Sequence, residues 1–139
     1  MEHFEQVIEI REVIDRYATG IDQRDWELVA SCFTEDCSSD YGRSGSWETR
    51  EALIAWLEET HREVRATLHR LTNHRIAVNG EEATATSYFD ALLRVEHRGH
   101  DLLQVVGTYT DRLRLTGDGW KISARTTENF LWRRSGGEG

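Results

Sequence analysis

Apolar residues in the first part of the chain recur three and four positions apart. Phe4, Val7, Ile8, Ile10, Val13, Ile14 and Tyr17 make one such run. They predict an amphipathic helix over about residues 3–20, stopped at Gly20. "DWELVASCF" carries Trp26, Val29, Ala30 and Phe33 at similar spacing and reads as a second, shorter helix. "TEDCSSDYGRSGSW" is polar and contains glycine, the texture of a loop with a short strand near Asp40–Tyr41. "TREALIAWLEETHREV" reads as a third helix with Thr49 as its N-cap and Leu53, Trp56 and Leu57 on one face.

After residue 65 the period drops from 3.6 to 2. Residues 66–79 form one strand, closed by the hairpin signal Asn79–Gly80. "ATATSYFDALLRVEH", "LLQVVGTYTDRLRL" and "GWKISARTTENFLW" supply three more, joined through "HRGHD" and "TGDG" as tight turns. Helices first and a long antiparallel meander after them define an α+β fold, with the helices on one face of a curved sheet. One domain over residues 1–134 is expected, with a frayed tail at 135–139.

Composition narrows the classes. The 139 residues are 38% hydrophobic and 30% charged, with five Trp and a net charge of −8. That acidic balance argues against nucleic acid or an anionic membrane as a partner. No apolar run approaches the roughly 20 residues of a membrane span. The charged, helix-periodic start is unlike a signal peptide, so a cytoplasmic protein is expected. Cys32 and Cys37 are the only cysteines. They fit reduced residues at a helix end better than a disulfide framework or a zinc site.

Strand alternation sorts the candidate chemistry. Ala83, Ala85, Ser87, Phe89, Ala91, Leu93 and Val95 share one face of the second strand, while Thr84, Thr86, Tyr88, Asp90 and Arg94 share the other. The first set is apolar but small. Either a pocket opens beneath the helices, or bulky Trp and Phe residues fill the space. Trp26, Trp56, Phe89, Phe130 and Trp132 read as core and pocket wall. In "ATLHRLTNHRIAV" the inward parity changes, which predicts a bulge near Thr72–Asn73. His69 and His74 lie on opposite faces of a regular strand, and a zinc site using both lacks further ligands. His97 and His100 flank a glycine turn and read as solvated; His3 and His61 read as helix-surface residues. Asp25, directly before Trp26, suits an N-cap worth about 1 kcal/mol. Asp22 is then free to accept Nδ1–H from His69, fixing the imidazole tautomer and leaving Nε2 to take a proton.

The ordered set "RYATGIDQRDWELVASCFTEDC", "TREALIAWLEE", "HRLTNHRIAVNGEEATATSYF" and "GTYTDRLRLTGDGWKISAR" resembles the SnoaL-like branch of the nuclear-transport-factor-2-like superfamily over about residues 5–132. The resemblance implies a cone: a curved antiparallel sheet wrapped around three helices, with a deep pocket and no cofactor. "GIDQRDW" resembles the segment carrying the catalytic Asp of scytalone dehydratase, which falls on Asp22. "DYGRS" resembles its water-binding Tyr segment, which falls on Tyr41. "HRLTN" resembles the catalytic His segment of that enzyme and of hexachlorocyclohexane dehydrochlorinase, which falls on His69. Bile-acid 7α-dehydratase is similar at His69 and at Tyr17, for which core packing is the competing role. Arg125 is the candidate for the dehydrochlorinase's cationic pocket residue. The scytalone enzyme's second His and pocket Asn have no evident counterpart, and the bile-acid enzyme's catalytic Asp falls near Ala91, beside an outward Asp90.

Together these imply a lyase or isomerase acting on a small hydrophobic cyclic molecule, with His69 and Asp22 as general base and Tyr17 or Tyr41 binding the leaving group or oxyanion. A non-catalytic binding or assembly module and a polyketide-type cyclase are the alternatives. The resemblance also implies a homo-oligomer, dimer or trimer, covering the half-apolar outer face at Thr84, Thr86, Tyr88 and Leu92.

Overall fold

The computed structural model describes residues 2–95 and 101–135. In chain order it contains α1 (Glu2–Gln23), α2 (Trp26–Ala30), β1 (Phe33–Asp40), a 3₁₀ turn (Gly42–Ser44), β2 (Ser46–Trp47) and α3 (Arg50–Thr60). Four long strands follow: β3 (Val64–Asn79), β4 (Glu82–Val95), β5 (Asp101–Thr116) and β6 (Gly119–Ser135). The sheet order is β2-β1-β6-β5-β4-β3, an open, curved α+β arrangement with the helices on its inner face. Of the predicted turn "HRGHD", His97 to His100 lie outside the described residues, as does the tail from 136, while Asp101 opens β5 and Ser135, expected in the tail, ends β6. Among those described, no helix is long and apolar enough to cross a membrane.

One stripe of α1 is buried, at Ile10, Val13, Ile14, Tyr17 and Ile21, whereas Phe4 and Ile8 of the predicted run face solvent. The helix does not stop at Gly20. It runs one turn further, because Gly20 serves packing: a Cβ there would lie 2.7 Å from Val29 Cγ2 of α2. The true end is a Schellman turn. Asp25 N–H donates to Gly20 O at 2.9 Å and Arg24 N–H to Ile21 O at 3.0 Å. Arg24 occupies the left-handed position at φ 57°, where glycine is usual. Its guanidinium offsets that strain by donating to Ile21 O, Thr67 Oγ1 and Val64 O, which ties the end of α1 to the start of β3. Asp25 caps α2 as expected, accepting from Leu28 N–H at 3.1 Å.

The four long strands form the expected meander, but the sheet is mixed. "FTEDCSSD", expected to be mostly loop, is β1, and it pairs parallel to β6 through Ser38↔Ala124 and Asp40↔Thr126. Its inward residues Cys37 and Ser39 are small, so the stretch shows no apolar alternation; the strand is held by a partner far along the chain. Cys32 and Cys37 are both free and buried, and burial pushes each thiol up to about 11.

Bulges set which residues face inward. In β3 the register shifts between Thr72 and Arg75, with Asn73 at φ 55°. Inward positions change there from Thr67, His69 and Leu71 to His74, Ile76 and Val78. In β6 one shift leaves Ser123 unpaired and a second leaves Phe130 unpaired. On β4, Ala83, Ala85, Ser87, Phe89 and Ala91 are buried, as the alternation predicted. Gly107 of β5 gives Phe89 its space: a Cβ there would sit 2.9 Å from the Phe89 ring and 2.1 Å from Glu128 O.

Arg24 should therefore show an unusual order of substitution. Arg24→Ala removes three hydrogen bonds and keeps the backbone strain, for a loss on the order of 2 kcal/mol. Arg24→Gly loses the same bonds but suits φ 57°. Chemical denaturation should rank the wild type first, the glycine variant second and the alanine variant last.

Candidate active site

The last turn of α1 directs Asp22 at β3. Asp22 Oδ1 accepts from His69 Nδ1 at 2.7 Å and from Thr67 Oγ1 at 2.8 Å, and Oδ2 accepts from the His69 backbone N–H at 2.9 Å. Thr67 is itself held by Arg24 at 2.9 Å. Partial burial pushes the Asp22 carboxyl up, but the side-chain and backbone hydrogen bonds of His69, with Thr67, outweigh it and hold the pKa below the usual value. An ionised carboxylate at Nδ1 places the imidazole proton there. Nε2 is left as the acceptor.

His69 lines a cavity of ≈ 230 Å³ between the helices and the concave sheet. Its other polar groups are Tyr17, Tyr41, Ser44, Thr60, His61, Tyr109, Thr127 and Asn129. Trp56, Phe89, Leu93, Val105 and Trp132 form the apolar wall. This is less than the roughly 300–1,000 Å³ of drug-sized pockets, so one or two fused rings fit. A larger surface depression of ≈ 460 Å³ at Ile8, Arg11 and Leu28 holds the Glu12–Arg16 pair and Asp15, which faces His74, and none of the expected site residues, so size does not choose the site.

Tyr17 from α1 and Tyr41 from the loop after β1 meet with their hydroxyl oxygens 3.0 Å apart. Tyr17 also hydrogen-bonds Tyr109, so the three phenols share two bonds and one phenolic hydrogen remains to donate. Burial raises the pKa of Tyr17 and Tyr41, so they stay protonated across the neutral range. Beneath them lies a buried cation. Arg125 makes a bidentate pair with Asp111, at 2.8 and 2.9 Å, both side chains fully buried. Its guanidinium carbon sits 3.9 Å from the Tyr109 ring centroid and 4.3 Å from that of Tyr17.

The expected site residues separate accordingly. His69, Asp22, Tyr17 and Tyr41 converge. Trp56 lines the cavity, stacked on Trp47 at 4.1 Å, and Phe89 lines it, stacked on Tyr109 at 4.5 Å. Trp26 does not line it; its ring packs on His61 at 5.8 Å, behind the cavity wall. Arg125, expected as a pocket cation, lies under the tyrosines and off the lining. Phe130, expected in the wall, is 87% exposed, because it is the extra residue of the β6 bulge and turns to solvent. His61 is not a helix-surface residue but a lining one.

Tyr109, Thr127 and Asn129 also lay outside the sequence expectations. The two on β6 face inward only because the bulge at Ser123 shifts the parity, and nothing local in "KISARTTEN" marks it. The bulge at Asn73 turns His74 inward too, where Nδ1 meets Ser87 Oγ at 2.8 Å and Nε2 lies 3.1 Å from Asp15. That pair stands apart from the cavity. Among the described residues no group of His, Cys, Asp and Glu is arranged to hold a metal ion.

A cone-like sheet curved over helices, with a cavity in its mouth, is the nuclear-transport-factor-2-like fold. Solved structures agree: a candidate scytalone dehydratase from Novosphingobium aromaticivorans is similar at TM-score 0.87 and 23% identity, covering 94% of this chain and 88% of that one. The hexachlorocyclohexane dehydrochlorinase LinA-type3 from Novosphingobium barchaimii matches at TM-score 0.85 and 18% identity, covering 97% and 93%. Within this fold the chain belongs to the SnoaL-like domain family, whose model matches residues 2–126. An uncharacterised Mycobacterium tuberculosis protein, Rv2910c, is 28% identical over 120 residues, 85% of this chain and 81% of the relative.

The Arg125–Asp111 pair makes a testable demand. Asp111→Ala leaves a guanidinium buried without its counter-charge, and the loss of stability in urea should be about 3–5 kcal/mol. Replacing an exposed pair such as Arg70–Asp90 should cost less than about 1 kcal/mol by the same measurement.

Proposed function

We propose that the protein is a cofactor-free lyase or isomerase that removes a proton from an activated carbon of a small cyclic substrate. The observation that carries this is the 2.7 Å contact between Asp22 and His69 Nδ1 at a cavity, which leaves Nε2 basic. His69 Nε2 takes the proton, and Asp22 stabilises the imidazolium that forms. The electron pair moves onto a carbonyl oxygen, where the remaining phenolic O–H donates to the developing charge. Arg125, 4.3 Å from the Tyr17 ring, adds positive potential from below. Return of the electron pair expels a β-substituent, or His69 gives the proton back at another carbon. The first outcome is elimination, the second isomerisation. The names of the structural neighbours, a dehydratase and a dehydrochlorinase, are consistent with the first.

Proton abstraction can be read before the natural substrate is known. Cyclic ketones bearing β-hydroxyl or β-chloro groups, incubated in D₂O, should lose their α-proton NMR signal with the wild-type protein. His69→Ala should slow this by about 10²–10⁴-fold, and Asp22→Asn by roughly 10²-fold. Exchange that both variants support at the wild-type rate would overturn the general-base role.

We also propose that the outer sheet face packs against further copies of the chain, as a dimer or trimer. Leu68 and Tyr88 are 54% and 53% exposed on neighbouring strands, and Val106 and Leu131 continue that face across β5 and β6. Sedimentation should find an oligomer, and Tyr88→Arg should shift it to monomer without loss of secondary structure. A wild-type monomer at micromolar concentration would refute the packing.

A further inference from the structure

His61, at the C-cap of α3, is the second imidazole on the cavity lining. Its Nδ1 lies 2.7 Å from Leu57 O. A carbonyl oxygen only accepts, so the proton is on Nδ1. The Thr60 hydroxyl, 3.3 Å from Nδ1, donates to Leu57 O and does not compete for that proton. The ring is packed on Trp26. Burial above all, with Arg24 and His69 as smaller causes, lowers the His61 pKa against the opposing Leu57 carbonyl and Asp22, so the ring is neutral at neutral pH. Nε2 therefore carries a lone pair, and it makes no hydrogen bond among the described residues.

The cavity thus has two imidazoles whose Nδ1 protons are both committed, to Asp22 and to Leu57, and whose Nε2 atoms are both acceptors. One base suffices to take a proton from carbon. The second acceptor needs a donor from the guest. Ring C–H and C–Cl groups supply none, whereas a hydroxyl does. We propose that His61 Nε2 accepts a hydrogen bond from a substrate hydroxyl, which makes hydroxylated cyclic compounds, rather than halogenated ones, the substrate class of this cavity. The assignment rests on the cavity being the substrate site. A partly buried acceptor that faces chlorine loses its hydrogen bond, and the site then disfavours that guest.

The test uses two matched one-ring probes, 4-hydroxyacetophenone and 4-chloroacetophenone, with the full chain at neutral pH and Kd read from quenching of tryptophan fluorescence. The wild type should bind the hydroxyl probe roughly tenfold more tightly. His61→Phe keeps the ring packing on Trp26 and should abolish that preference; His61→Gln keeps an acceptor near Nε2 and should retain part of it. If His61→Phe fails to fold, ¹⁵N NMR of the wild type decides: the His61 Nε2 resonance should be that of an unprotonated nitrogen and should move when the hydroxyl probe binds. Equal affinity for the two probes, a preference that survives in His61→Phe, or an unmoved Nε2 resonance overturns the assignment. The proton-exchange result for His69→Ala is independent of these outcomes, so failure here and failure of the general base are told apart.

Discussion

A half-buried carboxylate must collect hydrogen-bond donors, and Asp22 collects three, all from residues 67 and 69 of β3. That requirement locks the final turn of α1 to one register of the sheet edge. Arg24 adds a second tie to the same segment through Thr67 and Val64. The contact that docks the helix is also the contact that selects the His69 tautomer. Stability and candidate chemistry are therefore not separable at this point of the molecule, and a shift of α1 by one residue would undo both.

The sheet answers a different problem, which is how to line one concave face with residues of unlike parity. Each bulge re-phases a strand. The one at Asn73 lets His69 and His74 both point inward; the one at Ser123 does the same for Ile122 and Arg125. The buried guanidinium is then compensated by Asp111 and by the faces of Tyr17 and Tyr109. The phenols above it stay protonated because burial disfavours their anions. The cavity is thus floored by neutral phenols over a compensated Arg125–Asp111 pair. A small residue opposite the helices, Ala91 on β4, lines the volume left above them.

Family membership and fold rest on the match over residues 2–126 and on backbone similarity, and neither defines a substrate. The two enzyme-named neighbours, at 23% and 18% identity, share the scaffold. In this chain two imidazoles, a phenol pair and Asn129 line a cavity of ≈ 230 Å³.

Local patterns carried most of the fold. The period of 3.6 in α1, the Thr49 cap, the Asn79–Gly80 turn and the alternation on β4 depend on neighbours within a few residues, so they are legible along the chain. The parity break in β3 was legible for the same reason, whereas Asp22 and His69, 47 residues apart, were paired only through the resemblance of "GIDQRDW" and "HRLTN" to the SnoaL-like segments. Other features depend on residues far apart in sequence. Gly20 looks like a stop until Val29 is packed against it, and "FTEDCSSD" looks like a loop until β6 lies beside it. Arg125 meets a counter-charge on β5 that removes it from the lining, Phe130 is expelled by a bulge, and His61 is turned into the cavity by a helix carbonyl. The sequence alone determined the order and type of most elements, because short-range sterics and periodicity encode them. Tertiary structure decided which side chains share the cavity, because strand phase and buried-charge compensation are settled only when distant segments meet.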